Sequence, residues 1–252
     1  MPSPLYVQAV RHVLLPPRDA RPDDRAEPVD AVLAAAGPAA LAGIDVLMTS
    51  RWAPGAAPGG AFVPYPHHRP AHRPFDVVDF GGASPAAACA ALIDYLSTPD
   101  GPGTGALLAV ELARTAGRAP GPARSTGGVL RLGPEYVGRG PRILGCAVLD
   151  RCTAGAWPRV QRLAADWLRA GGLADRTPTV VVRRDSRVRR AWSARAGDGL
   201  PARLRFPPLA RTCMGLFPWL AAWRPGTGPE LFLDDDVESA TALAVLAGGP
   251  RR

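Results

Sequence analysis

Apolar, strand-like runs alternate with helical patterns along the chain, and this alternation constrains the fold more than any other feature. The runs include "IDVLMTS", "FDVVDF" and "GALLAVEL" early in the chain, and "RILGCAVLD", "TPTVVV" and "ATALAVL" later. Helical patterns lie between them at residues 29–36, 84–96, 158–170, 185–195 and 213–223. Strands that alternate with helices predict an α/β layered fold with a mainly parallel sheet.

The order of these elements is repeated. "FDVVDF", a helix, "GALLAVEL" and "GGVLRL" follow one another early in the chain, and "ARLRF", a helix, "PELFL" and "ATALAVL" follow one another later. Too few residues separate the last two strands of each set for a crossover helix, so these strands either pair antiparallel or lie far apart. The repeat predicts two halves, residues 1–138 and 139–252, that pack as one compact unit.

Composition places the chain among cytoplasmic globular proteins. Of its 252 residues, 47% are hydrophobic, which is enough for a large core. No apolar run has the length of a membrane span, and the first residues lack the basic and apolar regions of a signal peptide. The four cysteines are scattered without a CxxC pair, so we expect reduced core residues.

Every basic residue is arginine, and the formal net charge is +8. The chain contains no lysine and no asparagine, while alanine, glycine, proline and arginine are abundant. A GC-rich coding sequence explains this bias, so the charge alone does not predict nucleic-acid binding. The absence of lysine excludes chemistry that forms a Schiff base with the protein.

The stretch "FDVVDFGGASPAAACAALIDYL" reads as a strand, a glycine turn and a helix, an arrangement that often carries chemistry at the turn. A dinucleotide site is disfavoured because the third glycine of GxGxxG is missing. A nucleophile elbow at Ser84 is disfavoured because Pro85 has no backbone N–H for an oxyanion hole, and all four histidines precede Ser84. The residue types favour Ser84 as the N-cap of the helix.

Two further stretches carry polar groups. "PHHRPAHRP" lies in a Pro/Gly/His-rich segment, residues 53–74, and lacks a carboxylate or cysteine at ligand spacing, so we expect an exposed loop and no metal. "VVRRDSRVRRAWSAR" could bind phosphates, or it could be the solvated face of a helix whose arginines reflect codon bias.

The order and spacing of several segments resemble the thiolase-like superfamily, in particular class III β-ketoacyl-acyl-carrier-protein synthases. "FDVVDFGGASPAAACAALIDYL" resembles the strand that leads into the helix of the nucleophilic cysteine. "TGALLAVELA", "GGVLRLGP" and "RILGCAVLD" resemble the strands that follow, "VVVRRDSRVRRAWSARAG" the histidine segment, and "ARTCMGLFPWLAAW" the asparagine segment. The resemblance covers most of the chain from Ile44 onward and implies a duplicated five-layer αβαβα architecture, with the helices at 84–96 and 213–223 in the central layer.

In that family a cysteine is acylated while a histidine and an asparagine hold the thioester carbonyl. The cysteine position falls here on Gly81, the histidine position on Val182 (or Arg183 if the register slips by one), and the asparagine position on Arg211. No other alignment restores the three residues, because the chain has no asparagine and no histidine beyond His72. The resemblance therefore implies a degenerate site, in which Ser84 and Cys213 are fallback nucleophiles.

The resemblance implies a non-catalytic partner, similar to a chain-length factor, in fatty-acid or polyketide assembly, without cofactor or metal. Its expected partners are a catalytic ketosynthase paralogue or a second copy of the chain, and an acyl carrier protein; no nucleic acid or membrane is expected. Arg183, Arg184, Arg187 and Arg190 are candidates for docking the acidic carrier protein. Two alternatives remain: an active acyltransferase with an altered nucleophile, and a ligand-binding α/β protein.

Overall fold

Strands and helices alternate along much of the chain, as the apolar runs and helical patterns of the sequence predict. The structure is a computed structural model that describes residues 4–15, 27–52, 76–81, 84–101, 103–111, 125–138, 140–149, 156–182, 204–205, 215–235 and 242–249. The strands are β1 Leu5–Leu14, β2 Val46–Trp52, β3 Asp76–Gly81, β4 Gly105–Glu111, β5 Thr126–Gly133, β6 Arg142–Leu149, β7 Thr179–Val182, β8 Leu204–Arg205, β9 Glu230–Asp235 and β10 Ala242–Gly248. The helices are α1 Glu27–Ala36, α2 Pro85–Leu96, α3 Ala156–Ala170 and α4 Leu216–Ala222, with a short 3-10 turn at Pro38–Ala40.

The order of strands in the sheet shows the predicted repeat. The described strands form one sheet of ten in the order β3-β2-β4-β5-β1-β6-β10-β9-β7-β8. Read from each outer edge inward, the two sets of strands have the same order, and they meet where β1 pairs antiparallel with β6 at Leu5↔Ile143 and Tyr6↔Arg142. The two half-sheets are therefore copies of one topology. The boundary between residues 138 and 139 stays a prediction.

Pairing within each half-sheet also repeats. β2 pairs in parallel with β3 and β4, and β7 pairs in parallel with β8 and β9. The last two strands of each half are antiparallel neighbours, as one of the two predicted arrangements requires: β4 with β5, and β10 with β9.

The direction of each crossover decides which face of the sheet its helix covers. The connection from β1 to β2 through α1 moves outward in the first half-sheet, and the connection from β3 to β4 through α2 moves back inward. Crossovers between parallel strands are right-handed, so opposite directions place the two helices on opposite faces. For the same reason, α3, between β6 and β7, and α4, between β8 and β9, lie on opposite faces of the second half-sheet.

Buried side chains confirm this layering. One core cluster joins α2 and α4 to strands of both half-sheets, including Leu92, Phe217 and Val245. A second cluster packs α1 on the first half-sheet, and a third packs α3 on the second. The layers are α1, half-sheet, α2 with α4, half-sheet and α3, so the predicted five-layer αβαβα architecture is confirmed.

Local signals explain where the central helices form. The alanine-rich α2 starts at Pro85 after the N-cap Ser84 and buries residues on most of its circumference, as a helix covered on both sides does. Most of α4 is also buried, including Phe217 and Trp219. The predicted helices at 29–36 and 158–170 begin two residues earlier, at Glu27 and Ala156. The helix predicted at 185–195, residues 213 and 214 of the last predicted helix, and the loop at 53–74 lie outside the described residues.

Candidate functional site

The turn between β3 and α2 lies at the edge of the first half-sheet where parallel strands end. Gly81 is the last residue of β3, and Ser84 precedes α2; residues 82 and 83 lie outside the described part of the chain. The carboxyl end of β2 lies beside this turn and that of β4 lies one strand further in, because all three strands are parallel in the order β3-β2-β4. Such an edge is the usual place for a ligand or reacting group in an open α/β sheet.

Ser84 acts as a helix cap in this turn. Its backbone is extended, with φ −64° and ψ 150°, and its Oγ accepts a hydrogen bond from the backbone N–H of Ala87 at 3.3 Å. The residue is 4% exposed. Pro85 follows as the first helical residue and offers no N–H to an oxyanion. The N-cap predicted from the sequence is confirmed, and this geometry does not favour Ser84 as a nucleophile.

Three buried polar side chains share this edge and the central face of the first half-sheet. Side chains of a strand alternate between faces. Each of the three polar residues is two or four positions from an apolar residue of the central cluster on its own strand, so it lies on the same face. The pairs are Ser50 with Met48, Glu111 with Ala109, and Thr126 with Leu130. All three polar residues are buried. Glu111 and Thr126 face each other across β4 and β5. The sequence does not predict this set, although Glu111, a charged residue at the end of the apolar strand β4, is a visible signal.

His12 also lies on the central face of β1, two residues after Val10, which packs against the central cluster. It is half-buried, and burial lowers the pKa of its imidazole, which is therefore largely neutral at neutral pH. Its Nε2 is buried without a hydrogen-bond partner within the described ranges. In the sheet it faces Gly128 of β5. The structure thus places one of the four histidines in the central layer; the other three lie outside the described residues.

In the second half-sheet, the position expected for a family histidine points away from the central layer. Val182 ends β7 and is fully buried in the outer cluster with α3, whereas its neighbour Val181 packs in the central cluster. A side chain at 182 therefore does not face the layer that holds α2. Arg183, the position given by a register slip of one, lies outside the described residues, as do Arg211 and Cys213.

The carrier-docking candidates Arg183, Arg184, Arg187 and Arg190 also lie outside the described residues. Their placement relative to the turn at Gly81 stays a prediction.

The described thiols are protonated core groups. Cys89 of α2 is 1% exposed, and burial raises the pKa of its thiol to about 12. Burial, with smaller effects of Cys89 and Asp94, raises the pKa of the Cys146 thiol well above its ordinary value. A thiol nucleophile acts as the thiolate. Neither group is ionised near neutral pH, so neither is prepared for acyl transfer.

On the central face of β9, a glutamate and a phenylalanine contact a tryptophan of α4. The indole N–H of Trp219 donates a hydrogen bond to Glu230 Oε2 at 2.7 Å, and its ring stacks on Phe232 at a centroid distance of 4.7 Å. Trp219, Glu230 and Phe232 are each 1% exposed. The ring stacking and the buried hydrogen bond hold α4 against β9 in the central layer.

Within the described residues, no group of three or more His, Cys, Asp or Glu side chains is placed to hold a metal ion. No helix in that part of the chain combines the length and apolar character needed to cross a membrane.

Comparisons with known proteins agree with the layered architecture. No family model matches the sequence, and no curated protein matches it. The acyltransferase ChlB3 has a similar structure, with a TM-score of 0.63 at 16% identity over 98% of both chains. The tetronic acid condensing enzyme AbyA1 gives a TM-score of 0.63 at 11% identity over 97% of this chain and 100% of its own.

A third similar structure is the 3-oxoacyl-(acyl carrier protein) synthase III of Pseudomonas aeruginosa PAO1. It gives a TM-score of 0.58 at 13% identity over 98% of this chain and 99% of its own. The chain therefore has the thiolase-type fold of class III ketosynthases and related acyltransferases.

Proposed function

We propose that the protein is a non-catalytic thiolase-fold partner in fatty-acid or polyketide-type acyl assembly. The observation that carries this proposal is the absence from the whole sequence of any asparagine and of any histidine beyond His72. A histidine and an asparagine in the second half of the chain are what the resembling synthases use to hold the thioester carbonyl. Without them, the carbonyl oxygen loses the donors that stabilise its developing charge.

The first half of the site supports the same proposal. The nucleophile position implied by the resemblance is Gly81, which has no side chain to acylate. Ser84 is engaged as a helix cap, and Cys89 is held protonated by burial. The alternative of an active acyltransferase would need a different nucleophile, and Cys213 is the remaining candidate for that role.

The edge strand β3 is the surface we propose for a partner of the same fold, either a catalytic ketosynthase or a second copy. β3 is the outermost described strand of its half-sheet, so the backbone groups on one side of it have no strand partner within the described residues. Open strand edges are templates for pairing with another chain. Val78 on β3 is 37% exposed and adds apolar area to this edge.

We propose that Arg183, Arg184, Arg187 and Arg190 dock an acyl carrier protein. The stretch of residues 183–195 holds six arginines against one aspartate, and carrier proteins are strongly acidic. A contact of this kind is fast and weak, and screening by salt shortens its range. The similar synthase III of P. aeruginosa acts on an acyl carrier protein, as its name states.

The docking proposal is tested by titrating a carrier protein at low and high salt against the wild type and an Arg187→Glu/Arg190→Glu variant. The expected result is binding at low salt that weakens at high salt and is lost on charge reversal. The matched control is Arg159→Glu/Arg162→Glu on the exposed face of α3, which should leave binding nearly unchanged. Equal binding by both variants would contradict docking at 183–190.

The function itself is tested by turnover. The purified protein is incubated with an acyl thioester and a malonyl-loaded carrier protein, with a catalytic class III ketosynthase as positive control. We expect no condensation product from this protein alone. Product formation by the protein alone would instead establish the acyltransferase alternative. A stoichiometric complex with a catalytic ketosynthase, measured in the same preparations, would support the partner role directly.

A further inference from the structure

A cleft of about 360 Å³ opens on the outer face of the second half-sheet, between α3, the loop that follows α3 and the start of β7. We call it the outer cleft. Its floor is apolar and buried, formed by Ala164 and Leu168 of α3, Val180 of β7 and Leu231 of β9. It lies in the outer layer of α3, whereas the turn at Gly81 leads into α2 of the central layer.

The polar residues of the outer cleft include two arginines from different elements. Arg169 comes from the last turn of α3, and Arg176 comes from the loop before β7. Arg169 Nη1 lies 2.8 Å from Asp166 Oδ1, with both side chains more than 60% exposed. Arg176 Nε lies 3.6 Å from Asp175 Oδ2, and these side chains are also more than 60% exposed.

These ion pairs do not occupy the arginines fully. Neither Asp166 nor Asp175 lines the cleft. Exposed ion pairs contribute little free energy, and each guanidinium carries five N–H donors, so both arginines keep donors for a further anion. The cleft therefore combines an apolar floor with two cationic groups that can hold an anionic head.

We propose that the outer cleft binds a medium-chain acyl carboxylate, with its chain on the floor and its carboxylate held by Arg169 and Arg176. The volume lies at the small end of the range for ligand pockets, about 300–1,000 Å³, which suits a chain of medium length. A carboxylate matches the fork of N–H donors on a guanidinium. The two arginines disfavour a cation, and a neutral chain would leave their charge unused. This site does not depend on the proposed function, since it uses other residues.

The first experiment compares three ligands on the wild-type protein by isothermal titration. Octanoate carries both the chain and the charge, octanol has the chain without the charge, and acetate has the charge without the chain. Octanoate is expected to bind about tenfold or more tightly than octanol, because hydrogen bonds to a charged group are lost in octanol. Acetate is expected not to bind. Equal binding of octanol and octanoate, or no binding of octanoate, would overturn the proposal.

The second experiment locates the site. An Arg169→Gln/Arg176→Gln variant should bind octanoate about tenfold more weakly than the wild type, as expected for losing charge-assisted hydrogen bonds. Ala165→Trp places a large side chain on the wall of the cleft and should also weaken binding. Arg162→Gln is the matched control, because Arg162 lies on α3 without lining the cleft. If octanoate binds the double variant and Ala165→Trp as tightly as the control, it binds elsewhere and the assignment is wrong.

Discussion

The Oγ of Ser84 accepts a hydrogen bond from the backbone N–H of Ala87 at 3.3 Å. This bond satisfies one of the N–H groups that the first turn of α2 leaves without an intrahelical partner. Cap formation explains the serine at the turn without any catalytic role, and Pro85 next to it suits the first helical position.

Replacement of this cap should cost stability. Ser84→Ala is expected to lower the free energy of unfolding by about 1 kcal/mol, because Ala87 N–H loses its acceptor. Ser84→Asp restores an acceptor beside the helix N-terminus and should recover most of the loss. Urea unfolding of the three proteins measures this. If Ser84→Ala is as stable as the wild type, the hydrogen bond from Ala87 does not contribute measurably to stability.

Loss of the buried hydrogen bond between Trp219 and Glu230 should lower the free energy of unfolding more than substitution of the neighbouring Trp223. Trp219→Phe removes one donor from a buried carboxylate, which costs about 1–3 kcal/mol. Trp223→Phe is the matched control, since the Trp223 indole N–H is buried without an acceptor in the described part of the chain. The control should lose clearly less free energy of unfolding than Trp219→Phe. An equal loss in both variants would show that the change in ring volume, and not the lost hydrogen bond, causes the destabilisation.

Alkaline pH should destabilise the fold through Cys89. The pKa of its thiol is about 12 in the fold against 9.0 for a free thiol, so the unfolded chain loses this proton first as the pH rises. The contribution of Cys89 is fully present below pH 9 and is lost between pH 9 and 12, by about 1.4 kcal/mol per pH unit.

Urea unfolding at several pH values under reducing conditions measures the effect of Cys89. The free energy of unfolding should fall less steeply with pH in Cys89→Ala than in the wild type. Identical pH dependence in the two proteins would show that Cys89 ionises as easily in the fold as in the unfolded chain.

Association through β3 should be sensitive to charge at its edge. Val78→Lys places a charge on the exposed edge strand, a substitution that blocks strand pairing between chains. We expect sedimentation to show loss of self-association, or of the complex with a catalytic ketosynthase. Val137→Lys, at a position that is 58% exposed and lies between the two halves, is the control and should leave association intact. Loss of association in both variants, or in neither, would exclude β3 as the interface.

Local signals in the sequence predict much of the fold. Alternating runs give the strands, and the pair Ser84–Pro85 marks the start of α2 because capping depends only on neighbouring residues. The repeat predicts the antiparallel pairing of β4 with β5 and of β9 with β10, since short connections exclude a crossover helix.

The composition of the candidate site depends on contacts that the sequence does not display. His12, Ser50, Glu111 and Thr126 come from four strands, and only the strand order and register place them on one face of the first half-sheet. Val182 illustrates the same limit in the second half-sheet. A shift of one residue moves every side chain of a strand to the other face, so a resemblance uncertain by one position cannot assign the facing residue.

We propose that the protein accepts no acyl group, and this is measured by intact mass spectrometry after incubation with an excess of acyl thioester. A catalytic class III ketosynthase treated in the same way should gain the mass of one acyl group. We expect an unchanged mass for this protein, because Gly81 has no nucleophile and Cys89 is held protonated. A stoichiometric adduct of one acyl group, mapped to Cys213 or Ser84 and lost on substitution of that residue, would show that the protein is an acyltransferase.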